Sequence, residues 1–418
     1  MGCSSTAHHF FNISSNTSRG FLKYKIMLLC SCMEKLSTKD LHQIDHDGFC
    51  AELTQLRDET FQGLAESDFK HLIKIERWGR LATIIGFATA WIFPNPLSVV
   101  AMTVGLMTRW LLMHHIGHGG YDRVPGVPKR YTSKHFAVGG RRFLDWFDWM
   151  QPEAWKYEHN HLHHYHTGEC SDPDVVERNA RIVRDTRCPK FLKYIALFLF
   201  AITWKFTYYA PNTLNALKTK EAKKNHRRYT SYITPSNFLN IFNPLVRKLW
   251  LECYLPYITI HFVVVPALFL PLGSQAVYFV LINRLLAEAL TNFHAFMVIA
   301  PNHTGEDLYG FNYHFRDKKE FYVNQVLGSA NYSCGGDLID YSQMWLNYQI
   351  EHHLIPNLPM STYRKIQPKV KSLCERYGVP YVQESVFKRF KKMSDIFVGN
   401  RSMMYLDHRQ FSDIPGDP

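Results

Sequence analysis

Long apolar stretches alternate along this chain with polar stretches that carry clustered histidines. The first apolar pair covers residues 81–93 and 97–113, in which Arg109 is the only charged residue, with Pro94-Asn95-Pro96 between its members. Two prolines around an asparagine indicate a turn, so the pair predicts a helical hairpin. Because a membrane-spanning helix needs about 20 apolar residues, we expect the first member to extend back to Ile75. A buried hairpin in a soluble protein is the alternative.

A second apolar pair, residues 250–272 and 276–299, is joined by a turn that contains proline and glycine. Arg284, Glu288 and His294 interrupt its second member. Ionisable side chains inside a membrane segment are costly and usually face a functional interior. The pair therefore predicts a second transmembrane hairpin whose second helix contributes to a site.

Each hairpin returns the chain to the side from which it entered, so all histidine clusters are expected on one side. A single crossing at residues 191–210 would break this parity, and we therefore interpret that apolar segment as an interfacial helix. The predicted fold is all-α: a multi-pass membrane protein with two transmembrane helical hairpins under a helical cytosolic cap that holds a di-metal histidine site. Three regions are predicted: a polar N-terminal region (1–70), a membrane domain (71–384) and a basic C-terminal tail (385–418).

Three short motifs concentrate the histidines. They are His114-xxx-His118, His159-xxx-His163-His164 and Gln349-xx-His352-His353, and His294 lies inside the fourth apolar segment. Histidines four apart on a helix share one face and can bind one metal ion. The predicted ligands are eight: His114, His118, His159, His163, His164, His294, His352 and His353.

Eight imidazoles are too many for one tetrahedral zinc ion, so two ions are expected to share them. Imidazole suits zinc, copper, iron and nickel, but the membrane context and the absence of a hydrolytic motif favour iron and oxygen chemistry. Glu158, Asp172, Asp174 and Glu351 are candidates to hold the second ring nitrogen of the ligands. Other histidines within or near the clusters remain open as ligands: His115, His161, His166 and His303.

Composition narrows the class of partner. The 418 residues carry a net charge of +12, aromatic residues reach 15% and the mean hydropathy is −0.22. A basic chain suits nucleic acid or an anionic membrane surface, and the long apolar stretches favour the membrane. Nine scattered cysteines without a CxxC pair argue against a disulfide framework. Residues 1–33 contain no acidic residue and begin Met1-Gly2-Cys3, which fits lipidation, a transit peptide or a disordered tail.

In these motifs the chain resembles the membrane fatty acyl desaturase family. The three histidine boxes match in order, and His166-Thr167-Gly168 with Asp172-Pro173-Asp174 is similar to the family's sequence after the second box. Glutamine in place of the first histidine of the third box, at Gln349, is similar to the front-end subgroup. The resemblance covers roughly residues 81–381.

The resemblance implies two iron ions on the eight histidines, with Gln349 beside them as a catalytic residue, and an O2-dependent removal of two hydrogens from a lipid chain. Since the chain contains no His-Pro-Gly-Gly motif of a fused cytochrome b5 domain, electrons are expected from a separate cytochrome b5 or ferredoxin. We expect the endoplasmic reticulum rather than a plastid, and no nucleic-acid partner. The second box has three residues between His159 and His163, where two are common in the subgroup.

Two alternatives accompany the desaturase interpretation. A lipid hydroxylase would use the same type of centre, and a membrane metal-binding or transport protein would use the histidines as a pathway. Transport proteins place ionisable residues through the middle of several segments and often have repeated halves. Here the histidines cluster at segment ends, which favours an enzyme. The lipid class, the double-bond position and the oligomeric state stay open.

Overall fold

Helices form most of the structure, a computed structural model that describes residues 41, 44–226, 229 and 231–407. Asp45–Leu406 form one compact unit, and the predicted boundaries at residues 70 and 384 both fall inside it. The N-terminal pattern interpreted as a lipidation or transit signal (residues 1–33) lies outside the described residues. The predicted all-α class is confirmed as a mainly helical architecture with very little sheet.

The α-helices follow one another with short π-helical and 3-10 segments between them. In chain order they are α1 (His46–Gln62), α2 (Glu66–Ala90), α3 (Pro96–Gly117), α4 (Arg142–Asp145), α5 (Pro152–Tyr157), α6 (His164–His166), α7 (Val176–Asn179), α8 (Arg181–Asp185), α9 (Lys190–Ala201), α10 (Ala210–Lys224), α11 (Pro244–Leu249), α12 (Leu255–Ile258), α13 (Val265–Ala267), α14 (Ser274–Ile299), α15 (Lys318–Leu327), α16 (Asp337–Ser342), α17 (Gln349–Leu354), α18 (Met360–Arg376) and α19 (Val386–Phe397). The π-helices are Glu158–His163, Lys205–Tyr209, Trp250–Tyr254 and Thr259–Val264, and the 3-10 turns include Leu270–Leu272, Ala300–His303 and Leu346–Tyr348.

Two small parallel sheets complete the described secondary structure. Strand β1 (Tyr309–Phe311) pairs with β4 (Met404–Leu406), with Tyr309 opposite Met404, and β2 (Ala330–Asn331) pairs with β3 (Val382–Gln383). The β1–β4 pairing joins the polar region after α14 to the end of the described chain. These strands fix loops rather than build a core layer.

The first apolar pair forms the helices α2 and α3, which pack along each other. Asn95 caps α3 by accepting a hydrogen bond from the Ser98 N–H at 2.8 Å, and Pro96 follows at the first helical position, where its missing N–H costs nothing. Glycine lets the two backbones approach closely, because a Cβ on Gly79 would collide with the Thr108 side chain. The Pro-Asn-Pro turn predicted from the sequence therefore separates two packed helices.

Three helical stretches are long and apolar enough to cross a membrane: Pro96–Gly117, Pro244–Leu272 and Ser274–His303. The second predicted pair coincides with the last two. Although α2 has 25 residues, it does not reach the same hydropathy because its first half is polar, so the two-hairpin topology stays a prediction. The segment predicted as an interfacial helix is bent by 78° between Lys190–Ala201 and Lys205–Lys224.

The charged residues inside α14 form a buried ion network. Arg284 lies 3.3 Å from Glu288, and Lys205 lies 3.6 Å from Glu288 and 2.9 Å from Asp148. The Tyr257 hydroxyl donates to the Glu288 carboxylate at 2.6 Å. Two acids and two bases balance one another, which is the arrangement that makes buried charge tolerable. Arg284 and Glu288 therefore join α14 to its neighbours and do not belong to the histidine site.

Candidate metal centre

The three histidine motifs come from the ends of separate helices and meet inside the described unit. The last turn of α3 carries His114, and His118 caps its C-terminus. The π-helix Glu158–His163 carries the second motif, and the short helix α17 carries the third.

Five imidazoles form the group that we name group A: His114, His118, His159, His164 and His352. One ring nitrogen from each lies within 4.8 Å of one from every other. The Nε2 atoms of His114 and His159 are 3.0 Å apart. Two nitrogens that share one ion at about 2.1 Å would be separated by about 3 Å, so this spacing fits common ligands of one ion.

Three further imidazoles form group B: His163, His303 and His353, again with ring nitrogens within 4.8 Å of one another. The ring centroids of His303 and His353 are 4.4 Å apart, and those of His163 and His303 are 4.8 Å apart. The two groups adjoin, since the rings of His164 and His353 stack at 4.1 Å. The eight converging imidazoles divide into five and three.

His294 is the predicted ligand that the structure does not bring into either group. It lies in α14, five residues before that helix ends at Ile299, and His303 ends the same helical stretch Ser274–His303. At 1.5 Å per residue, the two positions are about 14 Å apart along the helix axis. The structure therefore brings His303, and not His294, together with His163 and His353. The signal available in the sequence was only the position of His303 just past the apolar segment.

Hydrogen bonds to their Nδ1 atoms orient the rings of His163 and His303 in group B. The Nδ1 atom of His163 lies 3.0 Å from the Asp172 carboxylate, and the Nδ1 atom of His303 lies 3.0 Å from the Gly328 carbonyl. A carboxylate and a carbonyl only accept, so both rings carry their proton on Nδ1. Each ring thus carries its lone pair on Nε2, the tautomer that metal-binding histidines use, and in the structure the Nε2 atom of His303 accepts a hydrogen bond from the Gln349 amide.

The third motif is oriented in the same way. The Nδ1 atom of His353 lies 2.8 Å from the Gln325 side-chain oxygen, which fixes its proton on Nδ1. The Nδ1 atom of His352 lies 3.1 Å from the Tyr363 hydroxyl, which itself donates to the Ile355 carbonyl. The Nε2 atoms of both histidines are buried and have no hydrogen-bond partner among the described residues. Buried polar atoms rarely remain unpaired, so these nitrogens fit metal coordination.

The surroundings keep the imidazoles neutral. Burial, and then repulsion from neighbouring imidazoles, lowers the pKa well below the usual histidine value for four rings outside the apolar helices: His118, His159, His164 and His352. His163 differs, because the charge and hydrogen bond of Asp172 outweigh burial and raise its pKa. Neutral imidazole is the metal-binding form, and the donor set therefore fits ions that prefer nitrogen ligands.

Of the four acidic residues predicted to hydrogen-bond the candidate histidines, Asp172 does so directly. Asp172 contacts His163, while Asp174 lies 4.0 Å from it. Glu351 instead accepts hydrogen bonds from Asn331 and Tyr381, and burial raises its pKa to about 7. Glu158 is fully buried and forms no hydrogen bond to a ligand histidine.

Gln349 lies beside group B. Its side-chain nitrogen is 2.9 Å from the Nε2 atom of His303, and its side-chain oxygen is buried without a partner among the described residues. The nitrogen of the amide donates to the ring lone pair in this orientation. With an ion on His303, the amide would face the ion, and rotation by 180° would present its oxygen. Gln349 is thus positioned to contact an ion or a water bound to it.

The second motif adopts a π-helix instead of an α-helix. The His164 N–H bonds to the His159 carbonyl, five residues back, instead of the residue four back. His159 and His164 therefore belong together in group A, whereas His163 turns to group B. The expected pairing of His159 with His163 on one α-helical face is corrected by this local geometry.

A largely apolar cavity of about 380 Å³ reaches both histidine groups. Its polar end includes His114, His159, His163, His303 and Gln349. Its other walls come from α3, α7–α9, the segment between α9 and α10, α14 and α19. The apolar side chains of these walls include Trp110, Ala180, Ile182, Val183, Ala196, Phe200, Trp204, Phe296, Ile299 and Phe397. A cavity with apolar walls and few polar groups suits an aliphatic ligand.

Comparison with known proteins agrees with this geometry. The family model for fatty acid desaturase matches residues 89–385. An NADPH-dependent stearoyl-CoA 9-desaturase of Mycobacterium tuberculosis is 24% identical over 84% of this chain and 79% of its own length. An sn-1 linoleoyl-lipid 6-desaturase of Arthrospira platensis is 25% identical over 73% of this chain and 77% of its own. An acyl-lipid (8-3)-desaturase of Mortierella alpina is 23% identical over 73% of this chain and 61% of its own.

Proposed function

Since this chain belongs to the fatty acid desaturase family, we propose that it uses two histidine-bound iron ions and O2 to introduce a double bond into a lipid acyl chain. Desaturase relatives and three apolar helices make it a membrane oxidoreductase of lipid metabolism. The proposed ligands are His114, His118, His159, His164 and His352 for one ion, and His163, His303 and His353 for the other.

One observation carries the proposal: two adjoining groups of imidazoles open onto one apolar cavity. Hydrolytic metal sites usually hold one or two histidines with carboxylates, whereas here the ligand sets contain imidazole alone. Group B provides only three protein ligands, which leaves coordination positions for an exogenous molecule. Among the described residues, no lysine or arginine lines the cavity.

The reaction balances with an external reductant. Two hydrogens leave adjacent methylenes, and with O2, two electrons and two protons they give one double bond and two waters. Bound iron supplies the reduction of O2 that makes removal of an unactivated hydrogen feasible. The protein positions the chain: apolar walls exclude water and hold one pair of carbons beside the histidine groups. Gln349, between His303 and the cavity, orients a water or the ion-bound ligand.

The finer assignments follow from the motifs. Glutamine at position 349 supports a front-end type of regiochemistry, in which the new double bond lies toward the carboxyl end. A separate cytochrome b5 or ferredoxin is proposed as electron donor, and the endoplasmic reticulum as the membrane. The relatives act, by their names, on acyl-CoA and on acyl lipid, so both carriers are candidate substrates.

The test is expression in a host with defined lipids, followed by chromatography and mass spectrometry of fatty acyl chains. We expect new double bonds from the wild-type chain and none from His352→Ala, which removes a group A imidazole. His135→Ala changes an exposed histidine outside both groups and is the matched control. A new double bond produced equally by His352→Ala would refute the proposed centre.

The same measurement of fatty acyl chains separates the hydroxylase and transport alternatives from the desaturase. A hydroxylated chain without a double bond would identify a hydroxylase, since both reactions begin with removal of one hydrogen. Metal bound in the purified protein with no lipid product in any host would favour the transport alternative. The position of the buried imidazoles at helix ends, beside an apolar cavity, supports chemistry on a chain over passage of an ion.

Cavity size should control the choice of chain. Ala180 is buried and lines the cavity, so Ala180→Phe would occupy part of the 380 Å³. One methylene in an apolar pocket changes discrimination by about 1–3 kcal/mol, or 10–200-fold. We therefore expect this variant to shift the product toward shorter chains in mixed-substrate competition. An unchanged product distribution would contradict the assignment of this cavity to the substrate.

A further inference from the structure

A third cluster of metal-ligating side chains lies outside groups A and B. It contains His166, Glu169 and His314, with one ligand atom from each within 4.8 Å of the others. We propose that this cluster is a separate zinc site, which joins the loop after the second histidine motif to the segment after β1.

A tight turn places two of the ligands side by side. The Glu169 N–H donates to the His166 carbonyl at 2.8 Å, which closes a four-residue turn. Thr167 has φ −48° and ψ 119°, and Gly168 has φ +77°, the values of a type II turn, whose third position favours glycine. The His166 and Glu169 side chains leave the same side of this turn and meet, with Nδ1 2.8 Å from Oε2.

Strand β1 brings the third ligand. The Phe311 N–H donates to the Gly168 carbonyl at 2.8 Å, so the chain after β1 runs along the turn. Three residues later the Nδ1 atom of His314 lies 2.7 Å from the same Oε2 of Glu169. The Phe315 N–H holds the other oxygen, Oε1, at 2.9 Å. The ligands therefore come from two segments that the backbone fixes against each other.

The carboxylate of Glu169 is buried between two imidazoles. Its side chain is 2% exposed, and among the described residues its ion-pair partners are His166 and His314, with no lysine or arginine. The single oxygen Oε2 meets both imidazoles and the Ser171 hydroxyl, which lies 3.0 Å away. A buried carboxylate is stable when a charge compensates it, and a divalent ion between the two imidazoles provides that charge.

The donor set fits zinc. Two imidazoles and one carboxylate are a common zinc set that leaves a fourth position for water. Ligand atoms around a tetrahedral zinc ion lie about 3.3 Å apart, so each imidazole needs to move from Oε2 by about half an ångström. The side chains of His314 and His166 are 57% and 36% exposed, which permits this movement and gives an ion access from solvent.

The site is distinct from the proposed iron centre. His166 follows His164 by two residues, but its Nδ1 faces Glu169, and neither His166 nor His314 belongs to group A or B. A zinc ion here would restrain the loop that leads to Asp172, the residue that holds His163. Binding would thus stabilise the second motif without taking part in the reaction.

The experiment uses the purified full chain with its iron already loaded. After equilibrium dialysis against Zn²⁺ in the low micromolar range, zinc and iron are measured in the same sample by mass spectrometry. We expect wild-type protein to hold one more zinc per chain than His314→Ala or Glu169→Gln, with equal iron in all three. The His135→Ala variant controls for loss of an exposed histidine and should match the wild type.

Each other outcome overturns the site. Equal zinc in wild type and His314→Ala would show that the cluster holds a proton between its side chains instead of a metal ion. Iron lost together with zinc in the variants would show that the cluster acts on the main centre and does not bind zinc independently. Since iron content and lipid product are measured separately, failure of this proposal leaves the desaturase proposal untouched. Glu169→Gln keeps the shape of the side chain, so it tests the charge where His314→Ala tests the ligand.

Discussion

Replacement of His303 by alanine tests the assignment of ligands more sharply than any other change. The sequence placed a ligand at His294 within the same helical stretch, and the structure instead brings His303 to His163 and His353. Both histidines are partly buried, so His294→Ala removes a side chain of equal size from the same helix. The pair of variants therefore separates loss of a ligand from loss of packing.

The magnitude follows from the number of ligands. Group B has three imidazoles, and His303→Ala leaves two, together with a Gly328 carbonyl and a Gln349 amide that lose their partner. Loss of an outer hydrogen-bond partner costs 10–100-fold in metal affinity, and loss of a ligand costs at least the upper value. We expect about a 100-fold weaker site, or about 2.7 kcal/mol. Group A keeps five imidazoles and its ion.

The assay measures iron per chain after dialysis, and double bonds formed in the expression host. We expect about two irons per wild-type chain, about one for His303→Ala, and about two for His294→Ala. Desaturated product should fall below detection for His303→Ala and persist for His294→Ala. The reasoning is refuted if His294→Ala loses iron and His303→Ala keeps both ions and activity.

Three further variants test the surroundings of the second motif. Asp172→Asn should weaken iron binding by about 10–100-fold, since it removes the charge that holds His163, and dialysis against a chelator measures the loss. Gly168→Ala should lower the melting temperature in detergent, since alanine disfavours the positive φ of this position and its Cβ would lie 3.1 Å from the Phe311 ring. The control Gly140→Ala places its Cβ in open space and should leave the melting temperature unchanged. Deletion of the exposed His161 should preserve two irons per chain, because an α-helical turn then replaces the π-helical turn; loss of iron would contradict this.

Seven of the eight converging imidazoles could be predicted from the sequence, because each lies in a motif whose spacing is set by a helical turn. The spacing of His114 and His118 requires only an α-helix, and α3 provides it to its last turn. His303 has no such signal, since it stands alone in the 3-10 turn that ends the helical stretch of α14. Its position beside His163 and His353 depends on where that helix ends relative to α17, which only the tertiary structure determines.

The charged residues of α14, Arg284 and Glu288, were recognisable in the sequence, but their partners were not. A costly group inside an apolar segment correctly indicates a buried partner, but the sequence cannot tell a ligand from an ion pair. Glu288 meets Lys205 from the bent segment and Trp149 from a loop, both far away in sequence. The cavity walls depend on the same bent segment, which the sequence assigned to the membrane interface.

The second motif shows how the grouping of imidazoles in the structure differs from the grouping that spacing alone predicts. An α-helix aligns residues four apart, so His159 and His163 were expected to share an ion. The π-helix contains one more residue per hydrogen-bonded turn, and it aligns His159 with His164 instead. The residue by which this motif exceeds the common two-residue spacing is thus absorbed within one turn. Because the turn widens locally, the ends of the motif keep their places: His159 faces α3, and His163 faces Asp172. A metal centre assembled from separate helices constrains these end positions, and the number of residues between them is free to change only where the backbone can form such a turn.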